Sequence, residues 1–222
     1  MSTEATPAAT VVLLRAGHDG LETLMLRRNA ELHFGGMWVF PGGVVDPDDV
    51  EPGRPDDELA AARRAAARET LEEAGLVLEP AGLVTWARWC PPPEAPKRFN
   101  TWFFVAEAPH GAVEIDGGEI HDHLWIHPGH ALERHARKEI DFGPPTWVTL
   151  HQLSAFPTPG AALAAAAGAT PRFYFSRRGR TAEGAPVTMW DGDAGYETGD
   201  PTASGPRHRL SMHRSGWIYE TP

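Results

Sequence analysis

Short β-branched and apolar runs punctuated by Gly, Pro and Asp fill the first part of the chain, and one long Ala/Leu/Arg/Glu run interrupts them. Thr10 to Arg15 predicts a strand, Ala16 to Gly20 a turn and Leu21 to Arg28 a second strand, together a hairpin. Asn29 to Met37 is a loop with Gly35 and Gly36, and Trp38 to Phe40 returns to the sheet with two aromatic rings for the core. Leu59 to Glu73 predicts a helix stopped by Gly75. Leu83 to Trp89 and Thr101 to Ala106 predict further strands, and Val113 to Ile126 a Gly-containing turn leading into another. Pro128 to Glu139 and Pro145 to Ala155 predict helices, each opened by proline. Past residue 170 the texture changes: Phe173 to Arg177, Val187 to Trp190 and Arg209 to Tyr219 read as strands between Gly/Asp/Pro turns.

The long helix carries unusual charge. At about 100° per residue, Glu69, Glu72 and Glu73 fall within one sector about 100° wide. Like charges at i and i+4 cost a few tenths of a kcal/mol, and anions are also disfavoured at a helix C-terminus. Something cationic should offset this. Hard divalent ions take oxygen ligands, so Mg²⁺ or Mn²⁺ is the natural candidate, and Arg68, one turn before Glu72, can hold that carboxylate. Upstream, Pro41-Gly42-Gly43 permits a close approach of backbone to ligand.

These residues resemble the Nudix box: Gly, five residues, Glu, seven residues, then Arg-Glu-apolar-x-Glu-Glu-x-Gly-apolar. Gly43 matches the first glycine and residues 68 to 76 the last nine positions, with Thr70 in the apolar slot. Two departures stand out. Arg68 lies 25 positions after Gly43 rather than 14, an insertion of about eleven residues, and counting back eight from Arg68 lands on Ala60 where the box has its first Glu. Glu58 or Asp57 could substitute there, or the role could be vacant. The resemblance implies an α+β fold, a Nudix-type α/β/α sandwich with a mixed sheet, here with a β-rich C-terminal extension. It also implies metal held by Glu69, Glu72, Glu73 and the Gly43 carbonyl, with Arg68 orienting. Glu119, six residues before Trp125, matches an acidic position common in the family and is expected to bind metal or polarise water; Asp122 is the reserve.

Composition narrows the partners. Thirty acidic residues against twenty Lys plus Arg give a net charge of −10, which argues against nucleic acid but not against a phosphorylated small molecule beside bound metal. Cys90 is the single cysteine, so no intramolecular disulfide or cysteine zinc site can form. The start lacks a basic-then-apolar leader, and the longest small-residue run, Ala161 to Ala167, is far short of a membrane span. The expectation is a cytoplasmic protein without membrane contact: residues 1–8 a disordered lead-in, 9–170 the catalytic domain with an exposed insertion at 46–57, and 171–222 an extension packed on the domain or a partner subunit, with a homodimer expected.

The insertion reads as a surface loop or a lid over the site. Cys90 to Phe99, stiffened by three prolines and carrying Lys97 and Arg98, reads as an ordinary loop or a phosphate clamp. His121, His123, His127, His130 and His135 fit no standard zinc spacing. The reaction implied is hydrolysis of the diphosphate linkage of a nucleoside diphosphate derivative by metal-activated water, with Glu119 or Glu73 as general base. The insertion and Pro144-Pro145-Thr146-Trp147 resemble the peroxisomal type of coenzyme A and acyl-coenzyme A diphosphatase. A second coenzyme A-associated pattern is kept at Gly36 but broken at Leu32 and Trp38. ADP-ribose, NADH and dinucleoside polyphosphates are the alternative substrates, a catalytically silent ligand-sensing module the alternative role, and isoprenoid diphosphate isomerisation, resting on Cys90, the last.

Overall fold

The computed structural model describes residues 5–31 and 35–222; Leu32 and the first four residues of the expected lead-in lie outside that range. The main sheet is built from β1 (Thr6–Gly17), β2 (Gly20–Arg28), β3 (Trp38–Val39), β4 (Gly42–Val44), β5 (Val84–Cys90), β6 (Phe99–Glu107), β7 (Ile120–Ile126) and β8 (Arg172–Phe175). Its backbone order is β3-β2-β1-β6-β5-β8, with β4 paired to β1 and β7 to β2. It is mixed, because β1 runs parallel to β6 and β5 parallel to β8, while β1–β2 and β5–β6 are antiparallel.

Strand β1 starts earlier than its sequence suggests. Thr6, Pro7 and Ala8 pair with Phe99, Asn100 and Thr101, so residues 6–8 are sheet rather than a disordered lead-in. The cause is non-local: Thr-Pro-Ala has little strand preference, but the parallel partner supplies hydrogen bonds, and Ala8 and Ala9 are buried.

Helix α1 (Glu58–Ala74) lies on one face of the sheet. Ala62, Ala65 and Ala66 pack against Ala9, Val11, Leu13, Leu24 and Phe104, a stripe of small side chains that lets the helix axis sit close to the strands. Glu73 continues that buried stripe at its C-terminal end. Gly75 at φ 68° then closes the helix, its N–H bonded to the Leu71 carbonyl.

The other face is covered by α2 (Pro128–Ala136), α3 (Pro144–Leu153) and α4 (Pro159–Gly168). The sequence reading missed α4; Thr158 caps it by accepting from the Ala161 N–H, and Pro159 fills its first turn. Beyond β8, a second sheet of order β12-β11-β10-β9 is formed by β9 (Arg177–Arg180), β10 (Pro186–Met189), β11 (Arg209–His213) and β12 (Gly216–Glu220). It joins the main body through aromatic packing: Tyr174 stacks on Trp89 with centroids 3.8 Å apart, and Trp190 meets both rings edge-on. Arg209 and Asp193 form a buried ion pair that ties β11 to the loop after β10.

Candidate active site

The end of α1 meets the Pro41-Gly42-Gly43 turn. The Gly42 N–H donates to Glu73 Oε2 at 2.9 Å. Gly42 has φ +153°, and a Cβ there would fall 2.2 Å from the Ala9 carbonyl oxygen, so only glycine fits. At Gly43 a Cβ would fall 2.4 Å from Glu69 Cδ, so the bare backbone is what admits the Glu69 carboxylate.

Burial governs the electrostatics. The Glu73 carboxyl is pushed up to about 8, first by desolvation, with the Gly42 N–H and Arg28 pulling the other way. Burial likewise raises Glu69 against the pull of Arg68, and Glu72 and Glu119 add to the rise. Glu72 is half exposed.

Two arginines organise these acids. Arg28, at the end of β2, lies 3.6 Å from Glu73 through Nη1 and donates to Glu119 Oε2 at 2.9 Å through Nη2. A register break opposite β7, where Arg27 faces Asp122 but Arg28 faces Ile120, occurs at this residue. The Arg28 Nε is buried and has no hydrogen-bond partner among the described residues. Sequence reasoning passed over Arg28, since nothing local distinguishes it from Arg27. Glu119 is fixed by its own turn: Asp116 accepts from the Gly118, Glu119 and Ile120 N–H groups, and Asn29 N–H donates to the Glu119 carbonyl.

Arg68 is the second hub. Its Nη1 donates to Glu69 Oε1 at 2.9 Å and to Glu72 Oε2 at 3.1 Å. Its other edge donates to Asp49, Nε to Oδ1 at 3.3 Å and Nη2 to Oδ2 at 3.0 Å, and to the Val44 carbonyl. The hydrogen bonds that Arg68 donates to Asp49 raise its pKa further still. Asp49 is buried in a short 3₁₀ turn, Pro47–Asp49, so the segment expected to be an exposed loop carries a structural acid.

The two acids that could substitute for the missing box Glu sit elsewhere. Asp57 caps α1 by accepting from the Ala60 N–H, and Glu58 pairs with Arg88; neither reaches Arg68. Counted forward from Gly43, glycine, five residues, then acid lands on Asp49, so the extra residues lie between Asp49 and Arg68. Asp122 sits on β7 opposite Arg27, away from the Arg28 pairs. In the Cys90–Phe99 loop, Arg98 turns onto the Pro91 carbonyl at 3.4 Å while Lys97 stays exposed.

The donor set suits a hard divalent cation: all carboxylate or carbonyl oxygen, with two acids held protonation-prone by burial. Among the described residues no three His, Cys, Asp or Glu side chains form a ready-made cage, as Arg28 and Arg68 hold the acids instead. The fit is therefore one of ligand chemistry and unbalanced charge.

The model of the NUDIX domain matches residues 5–159 of this chain. The chain belongs to the Nudix family. A Caenorhabditis elegans protein named nudix hydrolase 7 is 27% identical, the match covering 66% of this chain; the chain spans 60% of that relative's length. Among solved structures, a Nudix hydrolase of Alicyclobacillus acidocaldarius superposes with TM-score 0.65 at 27% identity, covering 74% of this chain and 97% of that one. The Nudix domain of Shewanella oneidensis NrtR, solved with ADP ribose, shares the fold at TM-score 0.52 and 16% identity, covering 68% of this chain and 86% of its own. The Nudix domain match ends before β8 and the whole second sheet. Among the described residues no helix is long and apolar enough to cross a membrane.

Proposed function

We propose that this Nudix protein is a Mg²⁺- or Mn²⁺-dependent hydrolase of the diphosphate linkage in a nucleoside diphosphate derivative. The observation that carries the reading is the pairing of a buried Glu73, titrating near 8, with Glu69 and Glu72 on one helix face against the Gly42-Gly43 backbone. Glu69, Glu72, Glu73 and the Gly43 carbonyl would hold the metal, which lowers the pKa of bound water and neutralises phosphate oxygens. Arg68 holds Glu69 and Glu72 in one orientation, and Asp49 holds Arg68. Glu119, exposed at the site's rim and tethered by Arg28, is the general base that takes the water's proton.

For substrate, the inserted segment and Pro144-Pro145-Thr146-Trp147 favour coenzyme A or an acyl-coenzyme A. ADP-ribose is the competing reading, supported by the ligand named for the NrtR domain of like fold. A screen with Mg²⁺ over coenzyme A, acyl-coenzyme A, ADP-ribose, NADH and diadenosine polyphosphates, read by chromatography of the two phosphorylated products, tests both, with Glu72→Gln as the blank. Turnover of one class, lost in the variant, supports the reading and names the substrate; no turnover of any with intact divalent binding favours a ligand-sensing role.

A further inference from the structure

On the sheet face opposite α1, a cavity of about 610 Å³ opens between α2, the turn before α3, and the β11–β12 hairpin. Its walls combine two features. One is a wall of aromatic surface: Trp217, on the hairpin, packs edge-on against His135 at 4.6 Å and lies 6.0 Å from Trp147. The other is cationic. Lys138 and Arg214 are exposed at the mouth, and neither pairs with an acid among the described residues, whereas neighbouring Arg134 and Arg137 are bound to Glu139. The one acid in the lining, Asp141, lies 3.6 Å from His135. Lys138 is also the single non-glycine described residue with positive φ, at 62°, where it forms the left-handed turn that ends α2, its N–H donating to the His135 carbonyl and the Glu139 N–H to the Arg134 carbonyl.

We propose that this cavity binds a phosphorylated compound bearing a flat heteroaromatic ring, the ring on Trp217 and the phosphate between Lys138 and Arg214. Aromatic stacking recognises the ring face, and the two unpaired cations recognise the anion. The hairpin lies outside the Nudix domain match, so the added sheet supplies Arg214 and Trp217 while the matched domain supplies His135, Lys138, Asp141 and Trp147. The ligand has two possible sources. The Asp141 carbonyl accepts from the Trp38 N–H at 2.8 Å, which ties the rim of the cavity to β3, the strand that leads directly into the Gly42-Gly43 turn. The ring-bearing far half of the protein's own substrate is thus one source, and a free nucleotide is the other.

Direct binding tests the proposal without relying on the hydrolase reading. Calorimetric titration of the full chain with adenosine 5′-monophosphate should give a site that Lys138→Glu/Arg214→Glu weakens at least tenfold. Because both side chains are exposed, that variant should keep its melting temperature. Trp217→Ala should weaken binding similarly and Trp217→Phe should restore most of it. Adenosine and inorganic phosphate alone should each bind far more weakly. On whichever compound the screen identifies, a raised KM with unchanged kcat in the double variant assigns the cavity to the substrate's far half; an unchanged KM assigns it to a free nucleotide. Binding of adenosine monophosphate that is indifferent to both charge reversals, or no tighter than binding of inorganic phosphate, would overturn it.

Discussion

Asp49 and Arg68 meet edge to edge, with Arg68 Nη2 3.0 Å from Asp49 Oδ2 and Nε 3.3 Å from Oδ1, although an inserted segment separates them in sequence. The opposite edge of the same guanidinium holds Glu69 and Glu72. One buried acid therefore sets the orientation of two others. Asp49→Ala leaves Arg68 without its anchor and the turn at Asp46 without its acceptor, since the Asp46 N–H donates to Asp49 Oδ2. The expected loss is about 1–3 kcal/mol of stability together with a tenfold or greater fall in kcat. Asp49→Glu should recover part of both, whereas Glu58→Gln should leave turnover nearly unchanged. Thermal melts and initial rates on the three variants check this, and an active Asp49→Ala protein would remove Asp49 from the site.

The two adjacent glycines should fail differently. Gly42→Ala collides with backbone at Ala9 and Thr10, which cannot move aside, so it should destabilise the fold. Gly43→Ala collides with the end of the Glu69 side chain, which can swing away. It should keep a near-native melting temperature and lose divalent affinity. Measuring melting and Mn²⁺ binding on both separates the two outcomes; equal destabilisation would contradict the geometry.

The pH dependence of the metal-free protein follows from Glu73. Its folded pKa, about 8, lies above the ordinary 4.5, so the folded state binds the extra proton. That contribution to stability is full below about 4.5 and is lost as pH rises toward 8 and beyond. A divalent ion that stabilises the ionised form should raise the melting temperature by more at pH 8.5 than at pH 6. In Glu73→Gln the difference should shrink. An Mg²⁺-induced shift that is the same at both pH values would contradict this.

The aromatic junction where α2 and α3 meet the second sheet should show the opposite trend. Burial holds His135, His151 and His208 below the ordinary imidazole range. The unfolded chain then takes up protons that the folded chain refuses, so stability falls as pH drops below about 6.5. In a Glu73→Gln background, the near-ultraviolet circular dichroism of the protein should melt at lower temperature at pH 5 than at pH 7.5. His208→Asn should narrow that gap; no gap in the parent would show that the imidazoles are not held neutral.

The sequence made most of the site legible because its chemistry is local. Glu69, Glu72 and Glu73 share a helix face by spacing alone, and Gly75 marks where that helix stops. What stayed hidden depended on contacts between distant segments. Asp49 was missed because counting back from Arg68 crosses the insertion, while counting forward from Gly43 does not. Arg28 gains its role from a register break that no strand pattern reveals. Residues 6–8 become strand through a parallel partner more than 90 positions away. Helix α4 carried readable signals in Thr158 and Pro159, obscured by the uniform alanines that follow. Strand β8 reads as part of the C-terminal run yet pairs with β5, so the main sheet extends past residue 171.

The central claim is that the carboxylates at the end of α1 support divalent-dependent hydrolysis, and turnover against Mg²⁺ concentration in wild-type and Glu73→Gln protein tests it most directly. The account predicts saturable, Mg²⁺-dependent formation of the two phosphorylated products in the wild type and a loss of about a hundredfold or more in the variant. Undiminished turnover in a folded Glu73→Gln protein would contradict it.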